Sequence, residues 1–250
     1  MGLLKLNEHL FLGKLARIQG EALDLLRERA GRVGDLVTIR DQRGRDFRGR
    51  VVTLTPQHGE AFIFESYEAS VEPRLEIHLI QALPKKEKME WIIQKATELG
   101  VSSIVPFESD RSITMAERNA SQEKSHRWQA IATKATQQCR RARIPLVYPV
   151  FSFRDAMEYG RKSDLKLLLW EKEPSQDLKQ ILTQFEGSIG KVAVVVGPEG
   201  SFSPRELHGA KRKGFVPVGL GQRILRTETA AIAAVAIIQY ELGGLGGRTH

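Results

Sequence analysis

The chain has 250 residues and a formal net charge of +8, with 41% hydrophobic and 27% charged side chains, so it holds one large or two ordinary domains of a soluble protein. The basic excess points toward a polyanionic partner, although charge of this size also serves plain solubility. The lone cysteine, Cys139, excludes an intrachain disulfide and any multi-cysteine zinc site, and it suits a reducing cytoplasm.

The first twenty residues contain no uninterrupted apolar core for a signal peptide, and Leu6 breaks the myristoylation pattern. No segment approaches the roughly 18 apolar residues of a membrane span, so no membrane role is expected. Short β-type runs at 36–39, 50–54 and 61–64 are split by turn clusters at 41–44 and 56–59. They predict a small β-barrel or sheet domain over residues 1–70. Residues 68–74, with Pro73, are the expected linker.

Beyond the linker the period changes. A strand is predicted at 75–83. Pro84 and three lysines, Lys85, Lys86 and Lys88, lead into a helix whose Met89, Ile92, Ile93, Ala96 and Leu99 recur at helical spacing before Gly100. Strands at 104–107, 145–150, 165–170 and 192–196 then alternate with helices at 121–138, 154–159 and 177–185. Such alternation predicts an α/β domain over 75–243, a mainly parallel sheet with helices on both faces. Residues 244–250, rich in glycine, are expected to be a flexible tail.

The last quarter carries the chemistry. A continuous apolar strand runs into Gly197-Pro198-Glu199-Gly200, where two glycines admit a ligand to the main chain. Ser203, Pro204 and Glu206 then read as an N-cap, a first-turn proline and a capping box. A second strand ends in Leu220-Gly221-Gln222-Arg223-Ile224-Leu225-Arg226-Thr227-Glu228-Thr229 before an alanine-rich final helix. A dinucleotide site fails here: Ile224 takes the third glycine position, and no later strand carries a ribose-binding acid. There is no P-loop, no GxSxG elbow and no histidine pair at metal-ligand spacing. What remains is a backbone-built site suited to an adenosine cofactor, with arginines for a developing anion. Thr227 or Thr229 equally reads as a cap on the last helix, and Arg223 as a solvated charge.

Basic groups also collect elsewhere. Arg111 and the run Arg140, Arg141 and Arg143 fall near strand ends of the same sheet. Arg40, Arg43, Arg45, Arg48 and Arg50 crowd one hairpin. Charge runs are usually solvated faces, but two such clusters on a basic chain favour phosphate contacts.

Six motifs, in order, then bring a family into view: Lys88-x4-Ile93-x-Lys95-x2-Glu98-Leu99-Gly100-Val101; Pro106 through Arg111-Ser112; Gln138-x2-Arg141 before Pro145; Leu169-Trp170-Glu171; the Gly-Pro-Glu-Gly loop; and Leu220 through Ala230. Over residues 75–242 the chain resembles the bacterial 16S ribosomal RNA uridine-N3 methyltransferase family of the SPOUT superfamily. The resemblance implies an N-terminal PUA-like RNA-binding β-barrel and a C-terminal domain tied in a deep trefoil knot. It implies a cytoplasmic homodimer that uses S-adenosyl-L-methionine on 16S ribosomal RNA, naked or in the assembled small subunit. The cofactor would be held by Leu169, Trp170, Glu171, Val196, Gly197, Pro198, Glu199, Gly200, Leu220, Gly221, Ile224, Leu225, Arg226 and Thr229. Arg226, then Arg223, would stabilise the uridinate, with Glu228 or Glu199 as a candidate base. Arg27, Arg43, Arg45, Lys85, Lys86, Lys88, Arg111, Arg140, Arg141 and Arg143 are the expected RNA contacts. Family members usually show histidine shortly before a Val-Leu-Arg sequence. Here Leu25-Leu26-Arg27 and Gly34-Asp35 match, but Gly20 and Glu21 stand where histidine is common. Alternative readings are a SPOUT enzyme acting on transfer RNA or ribose 2′-oxygen, a non-catalytic ribosome-assembly RNA-binding module, and a small-molecule α/β enzyme.

Overall fold

The computed structural model describes residues 3–28, 31–67, 72, 75–84, 88–112, 124–139, 141–171, 177–184, 189–243 and 245. The chain divides into two compact units: Met1–Glu72 with Thr136–Leu146, and Pro73–Ala135 with Val147–His250.

The first unit is a five-stranded sheet in the order β1-β3-β4-β5-β2. Its strands are β1 (Leu3–Lys5), β2 (Leu15–Ile18), β3 (Leu36–Arg40), β4 (Asp46–Leu54) and β5 (Gly59–Tyr67). Alternation along them sends Ala16, Ile18, Val37, Ile39, Val51, Ala61 and Ile63 inward, against Ala22, Leu23 and Leu26 of α1 (Glu21–Glu28). Three- and four-residue strands are too short to show a period, which is why β1 and β2 escape the sequence reading.

Residues 136–146 lie with this unit, whereas the sequence places them in the second domain. Thr38 Oγ1 donates to the Ala142 carbonyl at 2.5 Å, and Arg48 donates to the Arg141 carbonyl. Glu72, expected in the linker, is 8% exposed and binds the Arg141 guanidinium at 2.6 Å. Its other oxygen accepts the Arg143 backbone N–H at 2.9 Å.

The second unit is built on a seven-stranded sheet. Six strands run in the order β12 (Val216–Val218), β10 (Leu165–Leu169), β11 (Lys191–Val196), β6 (Glu76–Ala82), β7 (Ser103–Glu108) and β8 (Leu146–Val147), and β9 (Phe151–Ser152) pairs with β7. The pairings of β12 through β7 and of β9 with β7 are parallel. The strand expected at 145–150 reduces to Leu146–Val147, because Pro145 and Pro149 offer no N–H to the ladder.

Both faces of the sheet are covered. Val192, Val194 and Val196 point to one face, under α2 (Lys88–Glu98), α3 (Lys124–Gln138), α5 (Leu178–Gln184) and α7 (Thr227–Leu242). Ala193 and Val195 point to the other, under α4 (Phe153–Gly160) and α6 (Pro204–Arg212). Burial on both faces explains the unbroken apolar run of β11. Among the described residues no helix is long and apolar enough to cross a membrane, and no cluster of His, Cys, Asp and Glu could hold a metal ion.

Candidate active site

Strands β12, β10 and β11 end side by side, with Leu169 in register with both Val196 and Val218. The segments leaving them meet in a cleft of about 280 Å³ at the carboxyl edge of the sheet. Leu169, Val196, Val218, Leu220, Leu225 and Ala230 give it apolar walls. Gly197, Pro198 and Gly221 bring main chain to the surface, and Glu171, Glu199, Arg223 and Arg226 add charge.

Local rules shape these loops. Ser203 Oγ accepts the Glu206 N–H and the Glu206 carboxylate accepts the Ser203 N–H, with Pro204 in the first turn, so the loop after β11 leaves through a complete capping box. Asp110 fastens that cap: it accepts from Ser203 Oγ and from Arg205, each at 2.6 Å. Ser201 has φ of 60°, the one described non-glycine residue in the left-handed region, and such outliers gather at ligand sites. Gly197 lies flat on the Phe202 ring, where a Cβ would sit 3.0 Å from Cε2.

Side chains then tie the loops together. Thr227 Oγ1 donates to the Gly197 carbonyl at 2.6 Å and accepts from Gln81 Nε2 at 3.1 Å. Ser201 Oγ donates to Glu171 at 2.9 Å, and Arg111 donates to the Gly200 carbonyl at 3.1 Å. Lys88 bridges Glu199 at 3.0 Å and Glu228 at 3.1 Å. Burial pushes the Lys88 pKa down, but its two carboxylate partners outweigh that and raise it, so the ammonium stays charged.

Of the residues expected at the cofactor, Leu169, Trp170, Glu171, Val196, Gly197, Pro198, Glu199, Leu220, Gly221, Ile224, Leu225 and Arg226 all line the cleft, as does Arg223. Gly200, Glu228 and Thr229 stand outside its lining. Ser201, Phe202, Val218, Thr227 and Ala230 line it without having been singled out for the cofactor. Gln81, fully buried on β6, supports the cleft from below, and no sequence motif marks it. Thr227 is not the helix cap: Arg226 occupies that position and makes no side-chain capping bond. The Arg226 side chain thus leaves the first N–H groups of α7, at the positive end of the helix, uncapped.

The expected RNA contacts scatter. Lys85, Lys86 and Arg140 lie outside the described residues. Lys88 and Arg111 serve the cleft loops. Arg27 donates to the Thr55 and Pro56 carbonyls. Arg45 grips Asp41 with two nitrogens, at 3.1 and 2.9 Å, and Arg143 faces Asp46 at 3.7 Å. Arg141, 7% exposed, is paired with Glu72 at 2.6 Å. Arg40 pairs with Asp46 and Arg48 with Glu65, so most of the hairpin cluster is neutralised internally. Arg43 is exposed, and no hydrogen bond or ion pair of its side chain is described.

The whole cleft falls within residues 71–239, which match the RNA methyltransferase domain family. That match defines the class as an RNA methyltransferase. Ribosomal RNA small subunit methyltransferase E of Bacillus subtilis (strain 168) is 30% identical over 217 residues, 86% of this chain and 85% of that one. The crystal structure of a ribosomal RNA small subunit methyltransferase E from Neisseria gonorrhoeae bound to S-adenosyl methionine superposes with a TM-score of 0.68 at 31% identity, covering 98% of this chain and 99% of that one. A Legionella pneumophila methyltransferase in complex with the cofactor SAM gives a TM-score of 0.68 at 30% identity, over 97% and 98% of the two chains. The chain belongs to the ribosomal RNA small subunit methyltransferase E family.

Proposed function

We propose that the enzyme transfers a methyl group from S-adenosylmethionine to N3 of a uridine in 16S ribosomal RNA, free or in the small subunit. The observation that carries this reading is the cleft itself: three strand-end loops of mostly apolar and main-chain character, with Arg223 and Arg226 on its rim. Such walls fit an adenosine, which needs backbone donors and acceptors beside apolar surface. Gly197, Leu220 and Leu225 would hold it.

Bound S-adenosylmethionine supplies an electrophilic methyl group, so the protein's work is alignment and charge stabilisation. Uridine N3 becomes a nucleophile only as its proton leaves. Arg226, at the start of α7, meets the charge that develops on the base, and Arg223 seconds it from the same loop. Glu228 does not line the cleft and pairs with Lys88, so it fastens α7 to α2. The N3 proton leaves through solvent at the exposed mouth.

The reading includes a trefoil knot in the second unit. Its support is a strand order in which β10 lies between β11 and β12, followed by α7 returning against β6 and β11. The first unit is read as a PUA-like barrel that binds RNA. A homodimer is supported by α7, which is apolar on nearly every side. The cytoplasm, where small subunits assemble, is the expected compartment.

Single-turnover methylation of small-subunit RNA at saturating cofactor tests the assignment, with the product base located by mass mapping. Arg226→Ala should slow transfer by about 100-fold or more. A loss well under tenfold would remove Arg226 from the chemistry, and a product at another base would remove the N3 assignment.

A further inference from the structure

Most arginines that the sequence offers for RNA in the first unit are spent on Asp41, Asp46, Glu65 and Glu72. A different face of that unit is left bare. On β5, Ala61 and Ile63 are fully buried, while Phe62 and Phe64 turn outward at 41% and 43% exposure. Leu15 and Arg50 flank Phe62 directly in register, so the row crosses β2, β5 and β4. Val52 extends it on β4 at 41% exposure, and backbone bonds from Gly13 and to Lys14 hold those two residues beside Ile63. Exposed aromatic rings on a sheet cost free energy in water and mark a binding surface.

The cations around this face distinguish an RNA from an apolar partner. Lys14 and Arg17 are exposed, and neither has an ion-pair partner described. Arg50 donates to the Gly34 carbonyl and has no ion-pair partner among the described residues. Glu60 stands opposite Arg17 at one edge. Flat rings spaced along one strand, between cations, suit unpaired bases stacked in succession with their phosphates at the rim.

We propose that the outer face of the N-terminal sheet, centred on Phe62 and Phe64 and bordered by Lys14, Arg17 and Arg50, holds a single-stranded segment of the RNA substrate by base stacking. The choice of RNA as occupant rests on the functional reading above. The face would recognise an unpaired stretch without strict sequence preference, and the cleft would select the base to be methylated.

The test uses the full-length protein with a fluorescent 20-nucleotide oligoadenosine and an RNA duplex of equal length. Phe62→Leu with Phe64→Leu keeps the face apolar and removes the rings. Affinity for the single strand should fall about tenfold or more, and duplex affinity should hold. Lys14→Ala, Arg17→Ala and Arg50→Ala should each lower the salt dependence of binding by about one ion. Cofactor affinity by calorimetry should match wild type in every variant. Equal single-strand affinity in wild type and the leucine variant overturns the proposal. So does a change in solution mass on substitution, which assigns the face to a second copy of the chain. Wild-type methylation of small-subunit RNA is scored separately. An enzyme inactive on that RNA fails the functional reading, while a binding loss in the leucine variant still supports this one.

Discussion

Gln81 and Thr227, separated by 146 residues in sequence, meet at 3.1 Å beneath the cleft. Gln81 donates to the Thr227 hydroxyl, and that hydroxyl donates to the Gly197 carbonyl at 2.6 Å. The middle strand of the sheet, the start of α7 and the glycine loop are thus joined by two bonds in a place with little water to replace them. Thr227→Val keeps the shape and removes the hydroxyl, leaving a buried donor and a carbonyl unpaired. It should lower unfolding stability by about 1–3 kcal/mol in urea titrations. It should also weaken S-adenosylmethionine binding, because Gly197 loses its anchor, whereas Thr227→Ser should retain most of both. A valine variant with wild-type stability and cofactor affinity would show that the two bonds contribute nothing net.

Arg141 belongs to a signature that invites an RNA-binding role, and in the structure its guanidinium is paired with Glu72. With both side chains nearly buried, Arg141→Met strands the Glu72 carboxylate, at a cost of about 3–5 kcal/mol. Adding Glu72→Gln should recover part of that, since a neutral amide oxygen still accepts the Arg143 N–H. Urea unfolding of the single and double variants measures the difference. A stable Arg141→Met protein whose RNA binding loses salt dependence would return Arg141 to the phosphate-contacting set.

Local chemistry was legible in the sequence, and long-range pairing was not. Ser203, Pro204 and Glu206 announce a helix start because a capping box depends only on residues three apart. The glycine loops are readable for the same reason, and so is the doubly buried strand Lys191–Val196. A count of the hairpin arginines overstates the free charge there, because it ignores the acids among them. Asp41 and Asp46 lie in the same hairpin and take up Arg45 and Arg40. Nothing local could pair Glu72 with Arg141 or Gln81 with Thr227, since each contact exists only once distant strands have been brought together. Phe62 and Phe64 looked like ordinary strand residues, and only the burial of Ala61 and Ile63 in the fold shows which side of β5 is bare.

Asp110 makes stability depend on acid in a defined direction. The Ser203 hydroxyl and then the Arg205 guanidinium hold its carboxyl below the ordinary value of 3.8. A depressed carboxylate contributes its full stabilisation above the unfolded value, and loses it as pH falls through the lower folded value. Asp110→Asn should therefore melt below wild type at neutral pH, with the gap constant down to about pH 5 and closing below 3.8. Differential scanning of the two proteins across that range is the measurement. A gap that persists unchanged below pH 3 would mean that the carboxylate charge is not what holds the Ser203 cap.

Helix α7 buries Ala231, Ala234, Val235 and Ile238 against the sheet, yet its opposite side is no more polar. Ile237 is 37% exposed and Tyr240 65% exposed, and Trp91 on the neighbouring α2 is 46% exposed. A helix that is apolar all round is stable in water only when both sides are covered. The proposed homodimer would cover this side with the same surface of a second copy, as two-fold symmetry requires. Ile237→Glu with Tyr240→Glu places like charges across such an axis and should halve the mass seen by sedimentation equilibrium at micromolar concentration. The far-ultraviolet circular dichroism should stay as in wild type, because neither side chain enters the core of its own unit. Wild-type protein sedimenting as a monomer, or a double variant that keeps the dimer mass, would move the interface off α7.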